Sequence, residues 1–252
     1  MNLFADAFAW ILNPGNWEGR NSIPQFIGEH LWYTALAMIL ASAIAIPLGW
    51  YIGHTGRGRD IAVATTGAAR ALPSFGLLFL FVMIGGVANR DSSVVIVLAL
   101  LAIPPILAGA YAGFEAIDRR VIDAARSMGM TERQIVARIE IPLGLPLLWG
   151  GLRNAVLQVV ATVVLVGFVR NATLGYPIVQ GIQINRFDQM LGASILIIVL
   201  ALLLDAIFAL LERYATPAGV RVGRTRDHRT SSTRRRAAGG ATPASTEKEK
   251  SV

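Results

Sequence analysis

DAARSMGMTERQIVARIEIPLGLP, residues 123–146, is a charged amphipathic stretch set between long apolar runs, and its reading decides what kind of molecule the chain builds. Two helical pieces meet at Gly129. The first covers Asp123 to Met128. The second begins at Thr131, whose hydroxyl can accept from the amide of Gln134 while the Gln134 side chain reaches back, a reciprocal capping arrangement. Pro142 lacks a backbone donor and disfavours the helical region for Ile141, so the second piece is expected to end there and turn into the next apolar run.

Working outward, the flanks are those of a membrane protein. Of 252 residues, 54% are hydrophobic and only 15% charged, too apolar a balance for a water-soluble domain of this size. Five apolar runs reach the ~20 residues or more needed to cross ~30 Å of hydrocarbon. They cover about 30–52, 61–86, 92–112, 144–169 and 190–211, with a loop over 113–143 that carries the opening stretch. The expected fold is all-α and polytopic, with a transmembrane domain over 30–213.

Residues 1–29 are read as a segment on the outer membrane surface, with Phe4, Phe8, Trp10 and Trp17 at headgroup level. Residues 214–252 hold little that could be buried and are read as a disordered, basic tail. Pro104 and Pro105 are expected to kink the third span, and Gly109 with Gly113 forms a weak helix-contact pattern.

Orientation follows from basic residues on alternate sides of five spans. One side collects Arg57, Arg59, Arg119, Arg120, Arg126, Arg133, Arg138 and ten Lys or Arg from Arg213 onward; the other has Arg20, Arg90, Arg170 and Arg186. Seventeen against four puts the N-terminus outside and both the opening stretch and the C-terminus in the cytoplasm.

Several chemistries are excluded. Without cysteine there is no disulfide, thiolate nucleophile or sulfur-ligated metal. His30, His54 and His228 have no second ligand at helical spacing, so no metal or cofactor is expected, and they read as interfacial or solvated. Lys248 and Lys250 are the only lysines and neither follows a glycine-rich loop, so the chain carries no P-loop and hydrolyses no ATP itself. No catalytic residue is indicated. The tail's arginines lack interleaved aromatic residues, so no nucleic-acid partner is expected.

Arg70, Arg153 and Asp205 lie inside apolar spans, where an ion costs several kcal/mol unless paired or hydrated. Each is a functional candidate, although snorkelling or a structural pair between Arg70 and Asp205 accounts for two of them.

The opening stretch resembles the cytoplasmic motif of type I ABC importer permeases: Glu-Ala-Ala, three residues, Gly, nine residues, Ile, one residue, Leu-Pro. Here Asp123, Ala124 and Ala125 precede Gly129 by the same three residues, and Ile139, Ile141 and Pro142 follow at the same spacing. An amphipathic helix lying on anionic lipid explains the arginines, but not the alanine pair, the glycine and the Ile-Pro terminus. The resemblance implies a coupling helix built on Asp123, Ala124, Ala125, Met128, Gly129, Met130, Thr131, Ile139 and Pro142. In that family the helix docks on a separate ATP-binding subunit.

The resemblance extends over about residues 20–215. EHLWYTALAMILASAIAIPLGWYIGHTGRGR, LPSFGLLFLF and LLLDAIFALLERY are similar to the importers of osmoprotectants such as glycine betaine, carnitine and choline. It implies an inner-membrane permease with a second permease subunit, identical or not, and an external solute-binding protein. Two alternatives stay open. One is a permease for methionine or another small solute; the other is an ATP-independent channel lined by the intramembrane charges.

Overall fold

A computed structural model describes residues 2–60, 62, 64, 67 and 73–215; Arg70 and the tail from 216 lie outside the described residues. Among these the structure is helical without strands: α1 (Leu3–Leu12), α2 (Ile23–Thr55), α3 (Ser74–Gly85), α4 (Arg90–Glu115), α5 (Arg119–Ser127), α6 (Glu132–Ile135), α7 (Ile141–Val163), α8 (Gly175–Gln183) and α9 (Phe187–Ala215).

Among the described residues, four helical stretches are long and apolar enough to cross a membrane: Ile23–Thr55, Arg90–Glu115, Glu132–Phe168 and Phe187–Tyr214. Of the expected span over 61–86, α3 supplies the C-terminal part, and most of 61–72 lies outside the described residues. The spans extend past most of their expected bounds because polar residues such as Arg90, Glu115 and Asp188 continue the helices beyond their apolar cores.

The core lies where α2, α4 and α7 pack together, around Ala37, Ala41, Leu98, Leu101, Ile106, Val159 and Val163. α4 and α7 approach each other closely. A Cβ on Gly109 would stand 2.7 Å from the Leu147 carbonyl oxygen, and one on Gly113 2.6 Å from that of Gly144. The glycine pattern that looked weak in sequence is thus the seam of the bundle.

α4 passes through Pro104 and Pro105 as one continuous helix. Pro105 has no N–H to offer the Leu101 carbonyl one turn earlier; Gln158 of α7 donates to that oxygen instead, at 3.2 Å. A similar exchange occurs where α7 tightens into the 3-10 turn Val164–Phe168. The Val164 N–H bonds to Thr162, and the Val160 carbonyl takes a bond from His30 Nε2 at 3.0 Å. His30 is fully buried rather than interfacial.

One further expectation changes. Trp10 does not rest on the surface. It packs with Ile23 and Ala193, tying α1 to α9, while Phe4, Phe8 and Trp17 stay exposed. The segment after α7 forms α8, which packs against the 3-10 turn and α9.

Apolar side chains remain exposed along α9, among them Ile198, Leu202 and Leu203. An aqueous fold would bury such a face, whereas hydrocarbon does not penalise it.

Candidate functional site

The opening stretch is a small folded unit with both ends capped. Asp118 accepts from the Arg120 N–H at 2.9 Å and starts α5. At its far end the Gly129 N–H bonds to the Arg126 carbonyl at 2.9 Å and the Met130 N–H to that of Ala125 at 3.1 Å. This is a Schellman closure, and Gly129 supplies the left-handed residue it needs, at φ +84°. Thr131 then opens α6 with the expected capping box, its N–H donating to Gln134 Oε1 at 2.9 Å.

Ile122, Ala125 and Ile135 are buried between the two helices, with Met130 and Ile139 packed beside them. Ala125 therefore serves the unit's own core, and the outward face is left to Asp123, Ala124 and Met128. Met128 is 76% exposed at the apex, an apolar side chain with no cover.

Pro142 does not end the helix. Between α6 and α7 the chain makes a π turn, Val136–Glu140, and Ile141 keeps helical angles with its N–H on the Val136 carbonyl, five residues back. The wider turn makes room for the ring of Pro142, which sits in the first turn of α7, where a missing N–H costs little. Ile139 and Pro142 thereby lie on one continuous helical rod from Glu132 to Phe168, the third long span.

Charged side chains gather at this end of the bundle. Arg126 donates twice to Glu132, at 2.8 and 3.1 Å, and lies 3.6 Å from Asp123. The Glu132 carboxylate beside it holds the Arg126 guanidinium above its ordinary range. His54, at the end of α2, stands 2.6 Å from Glu140 through Nδ1 and 3.3 Å from Glu132 through Nε2. Arg59 pairs with Glu115 at 2.7 Å, joining the turn after α2 to the end of α4. His54 was read in sequence as solvated; nothing in its local pattern announces carboxylates that fold brings from Glu132 and Glu140.

A second polar cluster occupies the opposite end. Tyr33 donates to Asp91 at 2.9 Å, and Arg170 donates to both Tyr33, at 3.1 Å, and Asp91. The bond to Asp91 pushes the Arg170 guanidinium up. With Glu29 and Trp32 these residues line a recess of about 540 Å³ whose charged groups are largely satisfied by one another. Tyr33 and His54 are 21 positions apart on α2, about 32 Å at 1.5 Å per residue. The two clusters therefore bracket one hydrocarbon thickness.

Between them, among the described residues, lies the pair of Arg153 and Asp205. Arg153 of α7 donates to both carboxylate oxygens of Asp205 of α9, at 2.5 and 2.6 Å, and comes within 4.0 Å of Glu212. The partner expected for Asp205 was Arg70, which lies outside the described residues; Arg153 takes that place. No group of three or more His, Asp or Glu suited to a metal occurs among the described residues.

Residues 45–217 match the family described as binding-protein-dependent transport system inner membrane component. The chain is 32% identical over 200 residues to the osmoprotectant import permease protein OsmW of Salmonella typhimurium, covering 77% of this chain and 91% of that one. It is 28% identical over 207 residues to the carnitine transport permease protein OpuCB of Listeria monocytogenes, covering 82% and 94%. Among solved structures it superposes on a chain of the MetNI methionine ABC transporter in an inward-facing conformation. There the TM-score is 0.68 at 21% identity, over 81% of this chain and 99% of that one. At that identity the likeness speaks for the fold alone.

Proposed function

The chain belongs to the binding-protein-dependent transport system inner membrane components, and from that premise we propose that it forms half of the translocation path of an ATP-driven osmoprotectant importer. The relatives' names carry the substrate class: osmoprotectant, carnitine, choline and glycine betaine permeases recur among them. Its ATPase is a separate subunit, its solute arrives on an external binding protein, and a second permease subunit completes the path.

The unit over residues 119–142 is the coupling element. The observation that carries this reading is its build: a self-capped helical pair with an exposed methionine at its apex, continuous through Glu132–Phe168 with a membrane span. A rigid unit of this kind converts a push at Met128 into movement of α7, as alternating access requires. The excess of arginine at this end puts it in the cytoplasm, with the N-terminus outside. The intramembrane pair Arg153–Asp205 satisfies itself and is read as structural.

Substrate class is tested by ATP-dependent uptake of labelled glycine betaine in a host without osmoprotectant importers, the permease being supplied with its ATPase and binding protein. Choline and carnitine are expected to compete, and methionine is not. Competition by methionine alone would overturn the substrate class.

A further inference from the structure

We infer that His54 and Glu140 form the joint through which movement of the coupling element reaches α2, His54 acting as a positioning residue clamped between two carboxylates. The inference rests on the coupling role proposed above. It begins with Glu140, which is 2% exposed and lies in the π turn. A carboxylate in that position needs a cation, and the residue that meets it comes from a different span, 86 positions away, at 2.6 Å.

The imidazole is engaged on both sides, since its other nitrogen faces Glu132 at 3.3 Å. Carboxylates only accept, so the ring satisfies both partners only with a proton on each nitrogen. The charges then alternate along one line: Asp123, Arg126, Glu132, His54, Glu140. That line crosses α5, α6, α2 and the π turn, and it is the polar tie between α2 and the coupling unit. Arg59 and Glu115 make a separate tie nearby, from α2's following turn to α4.

The tie sits at the π turn, a kind of turn common at functional sites. His54 carries displacement past the turn and directly into α2, which is packed closely along α4 at Gly49 and Gly53. Two spans then move with the coupling unit rather than one.

The test uses the complete importer reconstituted in liposomes, with ATP hydrolysis and solute uptake measured together. His54→Gln is expected to lower uptake per ATP about fivefold or more, the lower end of inter-site coupling, while hydrolysis persists. His54→Arg, a permanent cation, is expected to retain more of that ratio than His54→Gln. Glu132→Gln, at a carboxylate 53% exposed, spares the buried pair and is expected to lower the ratio without loss of folded protein. Unchanged uptake per ATP in both the His54→Gln and Glu132→Gln proteins would overturn the inference. An unaltered complex that neither assembles with the ATPase nor takes up solute would instead remove the coupling reading, and the inference with it.

Discussion

At the scale of single residues, Gly129 decides the geometry of the proposed coupling unit. Its φ of +84° is what the Schellman closure requires, and no atom lies within 4 Å of where a Cβ would be. Substitution is therefore opposed by backbone strain alone, on the order of 1–2 kcal/mol for an ordinary L-residue and more for a β-branched one. Gly129→Val is expected to impair ATP-coupled uptake while leaving membrane insertion intact. Gly129→Asn, whose side chain tolerates the left-handed region, should retain most of it. Normal uptake by a fully inserted Gly129→Val protein would count against the coupling role. Gly129 and the Thr131–Gln134 box were legible in sequence because their signals are local. His30 and Gln158 were not, since each answers a carbonyl left free on another helix, Val160 and Leu101, and such partners become visible only once the spans are packed.

At the scale of elements, two predictions test the bundle. Gly113→Leu would place a side chain where Gly144's carbonyl oxygen already stands, 2.6 Å from the new Cβ, and should separate α4 from α7. Thermal unfolding of the detergent-solubilised protein at distinctly lower temperature is the expected result, and an unchanged midpoint would show that the seam can yield. For the pair between α7 and α9, Asp205→Ala should lower expression and stability by stranding Arg153 in the membrane. The charge exchange Arg153→Asp with Asp205→Arg should recover much of both. Failure of the exchange to recover anything would mean that the two charges act separately. Spans were legible from length and apolarity, but their pairing was not. The Asp205 partner was sought on the second span because both residues lie near the same membrane face, and sequence holds no measure of which two helices touch. Pro142 misled for a related reason. A proline ends an α-helix by local rules, whereas a π turn just before it lets the rod continue.

At the scale of the whole molecule, two polar clusters about 32 Å apart along α2, one at Tyr33, Asp91 and Arg170 and the other at His54, Glu132 and Glu140, mark the ends of a membrane-spanning bundle. Apolar faces such as that of α9 stay uncovered between them. The family and the all-α membrane architecture were legible because hydropathy and a spaced motif survive without any knowledge of contacts. The proposed substrate class rests on resemblance, for the charged groups Asp91 and Arg170 in the recess beside Trp32 are paired with each other. The central claim is that the unit around Gly129 faces the cytoplasm and bears on the ATPase, and the absence of cysteine makes it directly measurable. A single cysteine would be introduced as Met128→Cys at the 76%-exposed apex, or as Trp32→Cys at the opposite end, and cross-linking to the ATPase subunit scored in inverted vesicles. The account predicts a cross-link from position 128 that changes in yield on adding ATP, and none from position 32. A cross-link from position 32 with none from position 128 would contradict it.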